Sequence, residues 1–188
     1  PSFGPIHGQT VLEVSGSNFV ASDGLACQVG EMAAAATFHS SERISCVAPP
    51  QRVGSVPVRV TMSGAHTSAT HAMYNYSVMA AISYLSPANG PKDGGTMILL
   101  SGSHFSATRE LRCRFGQVTV QAVRVSDNFI NCTTPQSAAG LVSVEVSENG
   151  VDFSSDGNSF LYQETVTVQA ISPGLIPVNN TISFRVLG

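Results

Sequence analysis

Apolar and polar residues alternate with a period of two along most of the chain, the pattern of strands with one buried face. The clearest case is residues 142–147, which read Val-Ser-Val-Glu-Val-Ser. Short apolar segments of this kind are separated by clusters of Gly, Pro, Asn and Ser. The Ala-rich run 33–36 could be helical, but its counterpart 119–122 is strand-like, so we interpret both as strands. The pattern predicts an all-β fold of antiparallel sandwiches.

The chain is also a tandem repeat. The run from Gly4 to Phe19 returns as the run from Gly90 to Phe105, at an offset of 86 residues. The offset holds without a gap for apolar, cysteine, glycine and aromatic positions, as in the pairs Leu25/Leu111, Cys27/Cys113, Ile44/Ile130, Val58/Val144, Gly64/Gly150 and Tyr76/Tyr162. A fixed period of this length indicates tandem domains.

The repeat predicts three parts. Residues 1–80 form a first domain that lacks its first strand, and residues 81–165 form a second domain. Residues 166–188 are either the start of a third domain or a strand that pairs with a neighbouring subunit. The chain is then a window on a longer array.

Two sequence features predict how two strands are connected and how the two domains are connected. Asn149-Gly150 predicts a tight hairpin between the 142–147 strand and residues 151–153, because both residues tolerate positive φ. The link from Tyr76 to Ile82 is about five residues long and contains neither Gly nor Pro, and such short links restrict the swivel of domains. We therefore expect an extended rod.

Charged residues make up only 11% of the chain, against roughly 25% in typical globular domains. The net charge of −3 provides no basic field for nucleic acid or an anionic membrane. No apolar run approaches about 18 residues, so we expect no membrane span in this segment. A surface so poor in charge needs another source of solubility, and attached sugar is a candidate.

Four cysteines fall as two pairs of equal spacing, Cys27/Cys46 and Cys113/Cys132. Three connectivities are possible, but the repeat requires that both copies be treated alike, so one disulfide within each domain is the simple interpretation. A zinc site is the competing interpretation, although two cysteines without an adjacent histidine fall short of one. Disulfides would place the chain outside the reducing cytosol, at the cell surface or secreted.

Three asparagines lie in Asn-x-Ser/Thr acceptor sequences: Asn75, Asn131 and Asn179. Asn131 lies between Ile130 and Cys132. If these neighbours point inward, strand alternation points the asparagine outward. We predict that the three positions carry N-linked glycans, and unmodified surface asparagine is the alternative.

Other polar residues are of types that bind metals or ligands or take part in catalysis, but their arrangement does not indicate such a site. The five histidines do not recur at matched positions: His7, His39, His66, His71 and His104. Asp93, Asp152 and Asp156 could be calcium ligands in an edge loop, but no run matches the alternating acidic loop of an EF-hand. We interpret the arginines of the second repeat as a solvated face: Arg109, Arg112, Arg114 and Arg124. We expect no catalytic residue, no metal and no cofactor, and hence no enzyme.

The repeated motifs Gly-Pro-x-x-Gly-x-Thr, Ser-Gly-Ser-x-Phe, Leu-x-Cys-x-x-Gly and Ile-x-Cys resemble those of the IPT/TIG family. The resemblance covers the whole chain and implies immunoglobulin-like sandwiches. The family's intradomain disulfide maps onto Cys27–Cys46 and Cys113–Cys132. Such domains form stalks of plexin-type receptors and occur in other surface proteins and in Rel-type transcription factors. The motifs therefore specify the domain and not its function.

The leading functional hypothesis is a structural or adhesive extracellular protein, a rigid glycosylated rod or filament of tandem domains. Its expected partners are neighbouring copies of the same array and its own glycans, with no nucleic acid and no membrane insertion by this segment. The alternative is the stalk of a plexin-like receptor. A Rel-like DNA-binding module would need basic loops and reduced cysteines. An accessory domain of a secreted carbohydrate-active enzyme would need an exposed aromatic platform, and the chain has no Trp.

Overall fold

The computed structural model describes residues 1–62, 66–172 and 185–187. Within these ranges the regular structure consists of β-strands alone. They form two sandwiches in tandem, followed by a two-stranded sheet. The prediction of an all-β fold with immunoglobulin-like sandwiches is confirmed.

The first sandwich contains strands β1 to β8: β1 (Phe3–Pro5), β2 (Val11–Ser15), β3 (Ala26–Val29), β4 (Met32–Ser40), β5 (Arg43–Val47), β6 (Gly54–Met62), β7 (His66–Thr67) and β8 (Ala72–Ser77). The strand order is β1-β8-β6-β3-β4-β5-β2, with β7 paired to β6. The first half of β4 pairs with β3 and its second half pairs with β5. The long strand β4 therefore crosses from one layer of the sandwich to the other, and the Ala-rich run lies in it.

The second sandwich contains strands β9 to β17: β9 (Ala81–Ser86), β10 (Asn89–Pro91), β11 (Met97–Ser103), β12 (Arg112–Phe115), β13 (Val118–Gln121), β14 (Val123–Arg124), β15 (Phe129–Thr133), β16 (Gly140–Ser147) and β17 (Ser159–Gln163). Its two sheets have the orders β10-β17-β16-β12-β13 and β14-β15-β11-β9. The crossing strand is divided here into β13 and β14, on either side of the buried Ala122. The two sandwiches therefore share one topology.

Each sandwich has its own core between its two layers. The first is built around Leu12, Val29, Ile44, Tyr74 and Tyr76, and the second around Ile98, Leu100, Phe115, Ile130 and Phe160. A disulfide crosses each core. Alternation along each strand delivers these side chains inward and leaves every second residue on the outer face.

The outer edges of the equivalent strands β2 and β11 differ. β11 pairs with β15 on one side and with β9 on the other. β2, at the same position in the first sandwich, pairs only with β5 among the described residues.

After the second sandwich, β18 (Ala170–Ser172) pairs with β19 (Arg185–Leu187). This pairing repeats the register of β9 with β11 one period later, because Ala170 faces Leu187 as Tyr84 faces Ser101.

The predicted tight hairpin at Asn149-Gly150 is wrong in its detail. β16 ends at Ser147, and residues 151–153 form no strand. Gly150 has a φ of 75°, but Asn149 has no positive φ, so the two-residue turn that needs positive φ at both positions does not form. The chain instead returns beside β16 through single hydrogen bonds, such as the one from Ser154 N to the Val146 carbonyl at 2.8 Å.

Candidate functional site: the junction between the two domains

The returning loop after β16 carries the contacts between the two domains. The Oγ1 of Thr10 in the first domain donates a hydrogen bond to the Oδ2 of Asp152 in the second, at 2.7 Å. The Nδ2 of Asn149 donates to the carbonyl oxygen of Phe3 at 3.0 Å and to the same Asp152 oxygen at 2.7 Å. Two side chains of the second domain thus hold a threonine and a backbone carbonyl of the first.

Local hydrogen bonds fix the Asn149 side chain in place. Its Oδ1 accepts from the backbone nitrogens of Val151 at 3.0 Å and Asp152 at 2.9 Å, and from the Ser147 hydroxyl at 3.2 Å. This is the arrangement by which asparagine side chains stabilise turns. Because these bonds lie within the second domain, the side chain that reaches the first domain is oriented by its own turn.

The junction is closely packed around Gly4. A Cβ added there would lie 2.1 Å from Tyr74 Oη, 2.5 Å from Thr10 Oγ1 and 3.3 Å from Asp152 Oδ2. Thr10 is fully buried and Asn149 is 7% exposed. Burial raises the pKa of Tyr74, the neighbouring Thr10 side chain offsets part of this rise, and the Asp152 carboxylate adds a smaller rise. A larger residue at position 4 would have to displace the hydrogen-bonding groups themselves.

The connecting chain is short and held at both ends. Three residues separate β8, which ends at Ser77, from β9, which begins at Ala81. On the first-domain side, Ile6 N donates to the Ser77 carbonyl at 3.0 Å. On the second-domain side, Ala80 is 4% exposed and belongs to the core of its domain. The connection therefore supports the fixed orientation that the side-chain bonds define.

The aspartates proposed as alternative calcium ligands lie in separate places and accept hydrogen bonds from the protein. Asp156 accepts from the backbone nitrogen of Ile82 at 2.8 Å, and Asp93 accepts from the Thr165 hydroxyl. Asp152 belongs to the junction. Within the described ranges, no group of three or more His, Cys, Asp or Glu side chains could hold a metal ion.

Three of the four arginines of the second repeat contact their own domain through their side chains. Arg114 Nε donates to Glu145 Oε2 at 2.6 Å, and its guanidinium lies 4.0 Å from the centre of the Phe153 ring. Arg124 Nε donates to the Phe105 carbonyl at 2.6 Å. Arg112 donates to the Arg109 carbonyl at 2.8 Å. The guanidinium groups of Arg112, Arg114 and Arg124 are therefore partly engaged in contacts within the second domain.

The four cysteines form two disulfides, Cys27–Cys46 and Cys113–Cys132. The Cα atoms are 6.3 Å and 6.5 Å apart. Each disulfide joins a strand of one layer to a strand of the other, β3 to β5 and β12 to β15. The pairing is within each repeat, which leaves no cysteine to bind zinc.

Two of the three predicted acceptor asparagines lie on strands. Asn75 is exposed on β8, and Asn131 is half-buried on β15. Ile130 and Cys132, on either side of Asn131, are buried, so the asparagine is on the outer face. Asn179 lies outside the described residues. Among the residues that the structure describes, no helix has the length and hydropathy required to cross a bilayer.

Thr10 and the side chain of Asn149 were not identified as functional from the sequence. Thr10 recurs as Thr96, so its repeated position suggested only a role within the domain. The available signal was the change from Ser63-Gly64 in the first repeat to Asn149-Gly150 in the second, because asparagine can bond both to its own turn and to a neighbour. Only the tertiary structure shows that this neighbour is the preceding domain.

The sandwich topology, the repeated disulfide and the short junction define tandem immunoglobulin-like modules. A family model described as the IPT/TIG domain matches residues 1–78 and again residues 80–162. The chain belongs to the IPT/TIG domain family.

Known proteins of larger size contain similar regions. The chain is 29% identical to plexin A3 of Danio rerio and 25% identical to fibrocystin-L of Homo sapiens, in both cases over its whole length. It spans only 10% and 4% of the lengths of these relatives. Its fold is similar to part of a solved plexin A4 extracellular region, with a TM-score of 0.58 and 21% identity, covering 92% of this chain and 16% of that one.

Proposed function

We propose that the chain is part of a non-catalytic extracellular rod in which each junction holds consecutive domains in a fixed orientation. The observation that carries this proposal is the pair of cross-domain bonds, Thr10 to Asp152 and Asn149 to Phe3, in which both donor side chains are buried. A buried polar group that loses its partner costs about 1–3 kcal/mol, so bending the junction is unfavourable. The rod separates whatever precedes it from whatever follows.

Two further features support the extracellular placement. Both disulfides cross a domain core, and such bonds persist mainly in oxidising compartments. The relatives include plexin A3, and one of the solved structures with a similar fold is the extracellular region of plexin A4. N-linked glycans at Asn75, Asn131 and Asn179 are part of the proposal and supply solubility to a surface with few charges.

The second candidate is narrower, namely that the rod is the stalk of a plexin-like receptor. The match to plexin A3 over the whole chain favours it. A filament of many copies is the other form that such a rod could take, and its partners would be neighbouring copies of the same array. A membrane-spanning segment elsewhere in the natural protein would favour the stalk.

Electron microscopy of the natural protein, with an antibody fragment bound on each side of this region, tests the proposal. One repeat is 86 residues long, as counted along the sequence from Gly4 to Gly90. Removing one repeat should bring the two antibody fragments closer by roughly 30–40 Å, and the distribution of their separations should not become broader. The estimate takes strands of five to seven residues at about 3.3 Å per residue and adds the loops. A broad distribution of separations before and after deletion would contradict a rigid rod.

A further inference from the structure

Asn131 lies at the centre of an apolar outer face of the second sandwich. The face belongs to the sheet β14-β15-β11-β9, where Asn131 pairs with Leu99 on one side and Val123 on the other. Phe129 is two residues earlier on β15 and therefore on the same side of the sheet. Leu99 and Phe129 are each 40% exposed and Val123 is 63% exposed. Three large apolar side chains thus surround one polar side chain.

The apolar face continues toward both ends of these strands. Tyr84 and Phe129 both face Ser101, from opposite sides of β11, and Met97 faces Thr133. Tyr84 is 63% exposed and Met97 is 66% exposed. Contiguous exposed apolar surface is unusual on a soluble domain and indicates that something covers it.

The equivalent positions of the first domain carry different types of residue. One period earlier, Glu13, Thr37 and Arg43 stand in place of the apolar Leu99, Val123 and Phe129, and Ser45 stands in place of Asn131. Arg43 and Glu13 form an ion pair, and His39 Nε2 lies 2.8 Å from Ser45 Oγ. The centre of this face is therefore polar in the first domain and apolar in the second, although exposed Val11 and Val47 pair at one end of the first domain's face.

The acceptor sequence for N-linked sugar follows this difference. Asn131-Cys132-Thr133 lies on the apolar face, whereas the polar face has Ser45-Cys46-Val47 at the same place and cannot accept a glycan. Thr133 is exposed. The position where the sugar would be attached is therefore the centre of the surface that needs a cover.

We propose that an N-linked glycan on Asn131 lies on this face, with its first sugar over Phe129 and Leu99. A sugar ring has apolar C–H surfaces, which can pack on an aromatic ring and an aliphatic side chain, and hydroxyl groups, which remain in water. The glycan thereby removes apolar surface from water and presents a polar exterior. A protein partner on the same face would have to satisfy the Asn131 amide, since an unpaired buried amide is costly.

This inference rests on the extracellular placement proposed above, and the test separates the two. The 188-residue chain is secreted from cultured eukaryotic cells, and glycan occupancy is measured by peptide mass mapping after enzymatic release of the sugar. The Asn131→Gln variant is compared with Asn75→Gln, which removes the acceptor that faces Ser55 on β6. We expect Asn131→Gln to lower the thermal midpoint of the second domain by about 4 °C and to increase the binding of a hydrophobic dye. Asn75→Gln should leave both readouts of the second domain unchanged.

Two further measurements keep the test independent of whether Asn131→Gln folds. Endoglycosidase trimming of the folded wild-type protein to the first sugar should preserve the midpoint, and complete removal should lower it. In a Leu99→Glu/Phe129→Arg variant, which builds the ion pair of the first domain into the second, removal of the glycan should no longer change the midpoint or the dye binding.

The outcomes lead to different conclusions. Occupied Asn75 with unmodified Asn131 overturns the inference but not the extracellular placement. Occupied Asn131 with no change on complete removal also overturns it, because the glycan then projects into solvent. If neither asparagine is modified, the inference is overturned, and free thiols in the same protein would overturn the extracellular placement as well.

Discussion

The bond between Thr10 and Asp152 allows the strength of the junction to be predicted. Replacing Thr10 by Val removes the hydroxyl at nearly constant volume, and replacing Asp152 by Ala removes the acceptor. If the two groups interact across the junction, the double variant should lose less stability than the sum of the single variants. The difference is the coupling energy of the pair.

The size of this coupling energy can be worked out from the length and burial of the hydrogen bond between Thr10 and Asp152. The bond is 2.7 Å long, its donor is fully buried, and its acceptor is a carboxylate that also receives the Asn149 amide. Hydrogen bonds to charged groups contribute about 1.5–3 kcal/mol. Asp152 is only partly buried, so solvent reduces this value, and we expect a coupling of about 1–2 kcal/mol. That corresponds to a change of roughly 5- to 30-fold in an equilibrium constant.

The assay is urea unfolding of the four proteins, followed by methyl NMR signals assigned to each domain. The coupling is read from the domain that unfolds first, because the junction is lost with it. A second cycle with Thr96→Val in place of Thr10→Val is the control, since Thr96 has the matching position in the second domain. A Thr10–Asp152 coupling below about 0.5 kcal/mol, the level at which independent sites add, would refute the proposed role of the bond.

Three further predictions concern single residues. Replacing Cys113 by Ser should destabilise the second domain by about 3 kcal/mol, because the disulfide closes a loop with a sequence separation of 19 residues, while calorimetry should show the first domain unchanged. Replacing Gly4 by Ala should cost about 1–3 kcal/mol in urea unfolding, because the methyl group would meet Tyr74 Oη; an unchanged stability would mean that the junction can shift freely. Burial, with a smaller contribution from Tyr74, raises the pKa of Tyr76 to about 12. The folded state therefore holds this proton more tightly than the unfolded chain, in which the pKa is about 10, so thermal stability should be kept below pH ~10 and fall as the pH rises toward 12. Tyr76→Phe should lack this contribution to the fall, and an equally steep fall in both proteins would contradict the assignment.

The fold was largely predictable because it depends on local patterns that occur twice. Alternation along 142–147 identified β16, and the repeat identified the Ala-rich run as part of β4 despite its helical composition. The Asn149-Gly150 turn was mispredicted because propensity describes what a turn tolerates, not what its side chains bind. Asn149 Oδ1 accepts hydrogen bonds from the backbone of its own loop, while its amide donates to the Phe3 carbonyl in the other domain.

The candidate site was less predictable than the fold. Alternation indicated that Asn131 points outward, but not that Leu99, Val123 and Phe129 surround it. These residues lie on three strands, and their proximity depends on sheet order and register. Likewise, the contact between Thr10 and Asp152 joins residues 142 positions apart in different domains, and no periodicity in the sequence encodes it.

A rigid rod requires the two domains to be held in one orientation. Residual dipolar couplings of backbone amides, measured for both domains in one weakly aligned sample, test it most directly. We expect residues 3–62 and 66–77 of the first domain to report the same alignment tensor as residues 81–163 when they are fitted to the structure. Asp152→Ala should make the two tensors differ. Different tensor magnitudes for the two domains of the wild-type chain would show independent motion and rule out a rigid junction.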